Sequence, residues 1–201
     1  MEQVSTQMRE TSQQSEKVHS DSGSDSAKKE NPMRKVFIEK VVLSAGGKDK
    51  ELEKAKQLLK YLAEREPQVI ASTKRIPSFD VRPGLEVGTR VTLRGTQAAE
   101  LLKRLLGGVD NIIKEKSVAE NHFSFGIKEY IEIPGATYQR EIGIRGLSVT
   151  VDFARKGLRT KRKKIKQGKV SKKQNISKEE IIKFMEEKFQ VEFLDKQDDS
   201  K

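Results

Sequence analysis

Residues 85–95 read Leu-Glu-Val-Gly-Thr-Arg-Val-Thr-Leu-Arg-Gly, an alternation that a two-sided β-strand uses directly. Val87, Thr89, Val91 and Leu93 fall on one side, and Gly88, Arg90, Thr92 and Arg94 on the other, because successive strand side chains point to opposite faces. The first side can pack on a core. The second presents two guanidinium groups and a hydroxyl, with no acid after Glu86. A face of that kind can meet phosphates or base edges. It can equally be the ordinary wet side of an antiparallel sheet. The binding reading gains from Arg82, expected on the adjoining extended segment, and from glycine-rich turns that let backbone approach closely.

The rest of the chain supplies a sheet and helices to cover one side of it. Lys35 to Ser44 is rich in β-formers and ends at Gly46-Gly47. Asp49 to Arg65 has an apolar stripe of Leu52, Ala55, Leu58, Leu59 and Leu62, and Pro67 stops it, which predicts a helix. Gln68–Thr73 is expected as a short strand, Lys74–Ser78 as a loop, Phe79–Arg82 as extended chain and Pro83-Gly84 as a turn. Thr96 is placed to cap a second helix with Ala98, Leu101, Leu102 and Leu105 inward, ended by Gly107-Gly108. Residues 109–128 read as irregular, with Phe123 and Phe125 as core anchors. Tyr130–Ile133 is expected as a strand halted by Pro134. Leu147, Val149, Val151 and Phe153 alternate with Ser148, Thr150 and Asp152 as another strand. Ser177 and Glu180 form a capping box before a helix with Ile181, Phe184 and Met185 inward. Val191, Phe193 and Leu194 suit a closing strand. This order predicts an α+β fold: a mostly antiparallel sheet with helices packed on one face and an open polar face.

Charge divides the chain more sharply than length does. Residues 1–30 are Ser, Gln and charge-rich without apolar periodicity, which predicts a disordered tail. Residues 31–195 read as a single α+β domain, and 196–201 as a C-terminal tail. The net charge of +11 is concentrated. Residues 154–175 hold eleven basic residues and no acid. Such a run suits a phosphate-rich partner, whose neutralisation releases counterions; a merely soluble basic loop is the plain reading.

Several chemistries are excluded. The chain has no cysteine, so disulfides, thiolate zinc sites and thiol nucleophiles are absent. His19 and His122 are its two histidines, too few for a multi-histidine metal site; no metal and no cofactor are expected. No apolar run has the length of a membrane span, and the expected location is cytoplasmic. Gly46-Gly47-Lys48 lacks the upstream glycine spacing and following hydroxyl of a phosphate-binding loop, and no G-x-S-x-G occurs. No catalytic residue is assigned. Phe123-Ser124-Phe125-Gly126 invites comparison with an RNA-stacking RRM strand, but its order does not match that motif, and two Phe at this spacing suit a core.

A series of motifs in fixed order carries a resemblance. Asn31-Pro32-Met33-Arg34, Lys40-Val41-Val42, Phe79 with Arg82 and Gly84, Gly88, and Val91-Thr92-Leu93-Arg94-Gly95 resemble the family of the universal large-subunit ribosomal protein number five. Phe123-Ser124-Phe125-Gly126-Ile127, Ile133-Pro134-Gly135 and Gly143-Ile144-Arg145-Gly146 are similar to its archaeal and eukaryotic branch. The resemblance implies a structural ribosomal protein, not an enzyme. It would bind 5S rRNA and attach it to the central protuberance, and contact large-subunit rRNA, P-site tRNA and a small-subunit protein across the interface. It implies 5S rRNA contacts at Phe79, Arg82, Gly84, Thr92 and Arg94; Arg90, from the alternating strand face, and Ser44, at the position of the family's common Asn, complete the expected set. It implies a tRNA-contacting loop of Lys74, Arg75, Ile76, Pro77 and Ser78. Further rRNA contacts are expected from Arg155, Arg159, Lys161, Arg162, Lys163, Lys164 and Lys166. Three positions depart from the family: Ser44 replaces a common Asn, Glu64-Arg65 replaces Gly-Gln, and Lys156-Gly157 replaces Pro-Gly. The alternatives are a free RRM-like RNA-binding regulator, or an RNA-processing enzyme, which would need an acid or histidine constellation that the sequence does not offer.

Overall fold

The alternation at Val87–Leu93 becomes a strand at the heart of a six-stranded antiparallel sheet. The computed structural model describes residues 31–194, so both expected tails, 1–30 and 196–201, lie outside the described residues. In chain order the elements are β1 (Val36–Gly46), α1 (Asp49–Ala63), β2 (Gln68–Ala71), β3 (Glu86–Leu93), α2 (Thr96–Gly107), β4 (Ile112–Lys114), β5 (Val118–Ala119), β6 (His122–Ile127), β7 (Leu147–Arg155), α3 (Arg159–Arg162), α4 (Lys178–Phe189) and β8 (Glu192–Leu194). The sheet order is β2-β3-β1-β7-β6-β5, and β4 pairs with β8 in a separate parallel ribbon. The architecture is α+β, as expected.

One face of the sheet holds the core. Val41 and Leu43 of β1, Val91 and Leu93 of β3, Val149 and Val151 of β7 and Phe123 of β6 are all buried there. The helices lay their apolar stripes on it: Leu58, Leu59 and Leu62 from α1, Leu101, Leu102 and Leu105 from α2, Ile181 and Met185 from α4. Each fully buried side chain of this kind contributes about 1.5–3 kcal/mol of transfer free energy. Phe123 stacks on Phe125 and on Phe153, at 5.7 and 5.8 Å between centroids, and Phe184 meets Phe153 edge-on. The two phenylalanines of β6 therefore serve the core rather than a base-stacking platform.

Four local readings change. Residues 109–128 are not irregular: they hold β4, β5 and β6, because short strands bounded by left-handed Asp110, Asn111 and Asn121 break the pattern before periodicity can accumulate. Tyr130–Glu132 is a 3-10 turn and not a strand; Ile133 N–H closes on Tyr130 O, and the buried Tyr130 hydroxyl accepts Gln139 N–H at 2.8 Å. Thr96 is the first helical residue of α2, and Gly95, at φ 74°, occupies the cap position with no side-chain bond. Phe79–Arg82 is not extended; Pro77–Phe79 is a 3-10 turn closed by left-handed Asp80.

The capping box of α4 forms in full, with Ser177 Oγ accepting Glu180 N–H at 3.4 Å and the Glu180 carboxylate accepting Ser177 N–H at 3.2 Å. Ser177→Ala is expected to cost about 1 kcal/mol of stability, measured by urea unfolding.

Candidate nucleic-acid interface

The second face of the sheet carries short polar side chains in register, and α1, α2 and α4 pack their apolar stripes against the opposite face. Pairing sets them in rows. Gln68, Arg90, Ser44, Ser148 and Gly126 stand side by side across β2, β3, β1, β7 and β6. Thr92, Val42, Thr150 and Ser124 form the next row, and Lys40, Asp152 and His122 the next. The arrangement is held by light internal bonds. Arg90 Nε donates to Gln68 Oε1 at 3.2 Å, Ser44 Oγ donates to Ser148 O at 3.5 Å, and Lys40 Nζ lies 2.8 Å from Asp152. At one end Gly46, Gly88 and Gly126 leave the backbone bare beside Ser44 and Ser148 in a shallow depression.

Ser44, Arg90 and Thr92 are thus brought together on this face, and Arg94 follows the last residue of β3. Phe79, Arg82 and Gly84 are not on an adjoining strand. They sit with Lys74–Ser78 in one excursion between β2 and β3, closed at its base by Ser72 N–H to Leu85 O and Gly84 N–H to Ser72 O, both 2.8 Å. A bridge between Ile76 and Val81 narrows its middle. At its tip Phe79 is 66% exposed, and Ile76 beside it is also exposed, apolar groups held in solvent by a stiffened turn. Gly84 is required by conformation: Leu85 N–H bonds Arg82 O across Pro83-Gly84, and Gly84 has φ +86° with open space around it, the geometry of a type II turn.

The basic segment lies beyond β7. Arg159, Lys161, Lys163, Lys164 and Lys166 are exposed. Arg155 departs from the expectation: its side chain is 12% exposed, and its guanidinium lies 2.6 Å from both carboxylate oxygens of Glu180. It is committed to the protein and is withdrawn from the RNA-facing set. Arg162 pairs with Glu39 and is partly committed too. A cleft lined by Lys40, His122, Asp152, Lys161 and Arg162 joins this segment to the end of the polar face.

Sequence reasoning missed much of the face. Ser148 and Thr150 alternate visibly but join Ser44 only through strand register. His122, Ser124 and Gly126 were lost with the misread β6. Arg65 was also missed; its Nη1 donates to Thr92 O at 3.3 Å. The Gly143–Gly146 motif has a packing role. Arg145 ties this loop to Glu51, 3.2 Å away, at the start of α1, and a Cβ on Gly146 would stand 2.6 Å from Lys128 O. Nearby, Thr137 hydrogen bonds lower the pKa of the Tyr61 phenol. Among the described residues no group of acids and histidines could hold a metal, and no helix is long and apolar enough to cross a membrane.

Comparison with known proteins decides the family. Residues 86–190 match the model for the C-terminus of the ribosomal L5 family. The large ribosomal subunit protein uL5 of Nanoarchaeum equitans is 43% identical over 168 residues, 82% of this chain and 99% of that one. The chain belongs to the uL5 family of large-subunit ribosomal proteins. The uL5 proteins of Sulfolobus acidocaldarius and Archaeoglobus fulgidus are 40% and 38% identical, over 84% and 78% of this chain and 97% and 89% of theirs. Membership of the uL5 family makes the chain a structural constituent of the ribosome and removes the enzyme alternative. It also agrees with the motif series from Asn31 to Gly146.

Proposed function

We propose that this uL5 protein binds 5S rRNA through the polar sheet face and attaches it to the central protuberance of the large subunit. The observation that carries this reading is the register of Ser44, Arg90 and Thr92, flanked by Arg94, on the face of the sheet opposite the core. Hydroxyls and guanidinium groups donate to phosphate and ribose oxygens, and the glycine positions let a flat backbone come close. The excursion extends the surface through Phe79, Arg82 and Gly84. Its Lys74–Ser78 half is the contact for P-site tRNA. Arg159, Lys161, Lys163, Lys164 and Lys166 meet large-subunit rRNA, and a small-subunit protein is met across the subunit interface in the ribosome.

Arg94→Ala and Arg82→Ala are each expected to weaken binding of a 5S rRNA transcript about tenfold, with unchanged thermal unfolding. Unchanged affinity in both variants contradicts the assignment. A free RRM-like regulator would leave large subunits in a moderate salt wash; this protein is expected to sediment with them.

A further inference from the structure

Eleven cations without an acid should repel one another and leave residues 154–175 loose. The structure fastens them from outside the segment, and two of the fasteners are carboxylates. The first is Glu180. It receives both 2.6 Å contacts from Arg155 at the end of β7, while Arg155 Nη1 also donates to Lys173 O at 3.3 Å. The same carboxylate accepts Ser177 N–H. One acid therefore ties together the start of the segment, its end and the first turn of α4.

The second is Glu39. The register of β1 against β7 shifts between Ile38 and Lys40, so Glu39 is the extra residue of a bulge. A bulge re-aims the side chain it carries. Here that side chain, 17% exposed, reaches Arg162 of α3. An uncharged fastening completes the set: Asn121 Oδ1 accepts Ile176 N–H at 2.8 Å, and Asn121 N–H donates to Ile176 O at 3.3 Å. Lys161, Lys163, Lys164 and Lys166 lie around Arg162, exposed and paired with no acid among the described residues.

We infer that Glu39 and Glu180 are positioning residues for RNA binding: by holding Arg162 and Arg155 they present Lys161, Lys163, Lys164 and Lys166 as one fixed cationic edge. The inference rests on the proposed RNA contact of this segment. Its physical content is a sign. Charge alone says that removing a carboxylate beside a basic segment raises its positive potential and tightens RNA binding. Positioning says the opposite, because a segment that is not held beforehand must be ordered during binding.

The test measures binding of a labelled large-subunit rRNA transcript to the full chain over a range of salt. The variants are Glu39→Gln, Glu180→Gln, Lys161/Lys163/Lys164/Lys166→Gln, and each acid change in the lysine-replaced background. Gln retains the capping box of α4, so Glu180→Gln isolates the hold on Arg155, and Glu39→Gln leaves α4 untouched. Each acid change is expected to weaken binding about fivefold. In the lysine-replaced background, where Arg159 is the one proposed contact of the edge that remains, each is expected to have much less effect. Binding as tight as wild type or tighter overturns the inference. So does an equal loss in both backgrounds, which would mark general damage. If the lysine replacements alone leave binding unchanged, the RNA contact of the segment fails, and the positioning role falls with it.

Discussion

Replacing Lys161, Lys163, Lys164 and Lys166 together by Gln is expected to flatten the salt dependence of rRNA binding and to lower affinity at physiological salt about a hundredfold or more. Each phosphate neutralised by a cation releases about 0.7–0.9 of a counterion, so four lost contacts reduce the log–log slope by about 3. These four lysines are exposed and unpaired within the described residues, whereas Arg155 and Arg162 already face carboxylates. They are therefore free to meet an external phosphate. The replacement touches no core residue, so thermal unfolding should stay within a few degrees of wild type. Titration at four or more salt concentrations checks the slope. A slope that stays put means the segment faces solvent or protein.

Thr92→Glu is expected to reduce affinity for 5S rRNA by at least about a hundredfold, since like charge pressed against phosphate costs several kcal/mol. Thr92 is half-buried at the outer end of its row on the polar face, beside Val42 on β1 and between the guanidinium positions Arg90 and Arg94 along β3. A carboxylate there acts twice. It repels phosphate, and it offers Arg90 and Arg94 an internal partner that competes with RNA. The fold should tolerate it, because the side chain points away from the core and strand preferences at such sites span about 1 kcal/mol. Filter binding with the folded variant checks the affinity, and circular dichroism checks the fold. Because the lysine set lies outside the sheet, Thr92→Glu should leave the salt slope for large-subunit rRNA nearly unchanged.

These effects depend on placements that the sequence reveals unevenly. Helices α1, α2 and α4 are legible because their buried leucines and isoleucines recur at helical spacing, and because Pro67, Gly107-Gly108 and the Ser177/Glu180 box punctuate them. Strand β3 is legible because Val91 and Leu93 alternate with Arg90 and Thr92. Local pattern fails where two states share it. Tyr130–Ile133 has the composition of a strand, and only the Tyr130 hydroxyl bond to Gln139 and the turn closure at Ile133 settle it as 3-10. Strand β6 alternates Phe123, Phe125 and Ile127 with Ser124 and Gly126, but Gly126 within it and left-handed Asn121 before it carry turn signals. The candidate face was legible by half. Ser44, Arg90, Thr92 and Arg94 could be named, but nothing local joins Ser148 and Ser124 to them. That union is made by register between segments up to about a hundred residues apart in sequence, whose loop-closure cost leaves no local trace. The basic run shows how many cations there are. It does not show that Arg155 is committed to Glu180, a pairing made across the whole segment.

The polar sheet face is proposed to hold 5S rRNA. Ultraviolet crosslinking of a 5S rRNA transcript to the full chain, with the attached peptides mapped, reads that contact segment by segment. Crosslinks are expected in β1, β3 and β7 and in the Phe79–Gly84 turn, lost in Thr92→Glu. Crosslinks confined to α1, α2 and α4 on the opposite side of the sheet, or unchanged by Thr92→Glu, would contradict that proposal.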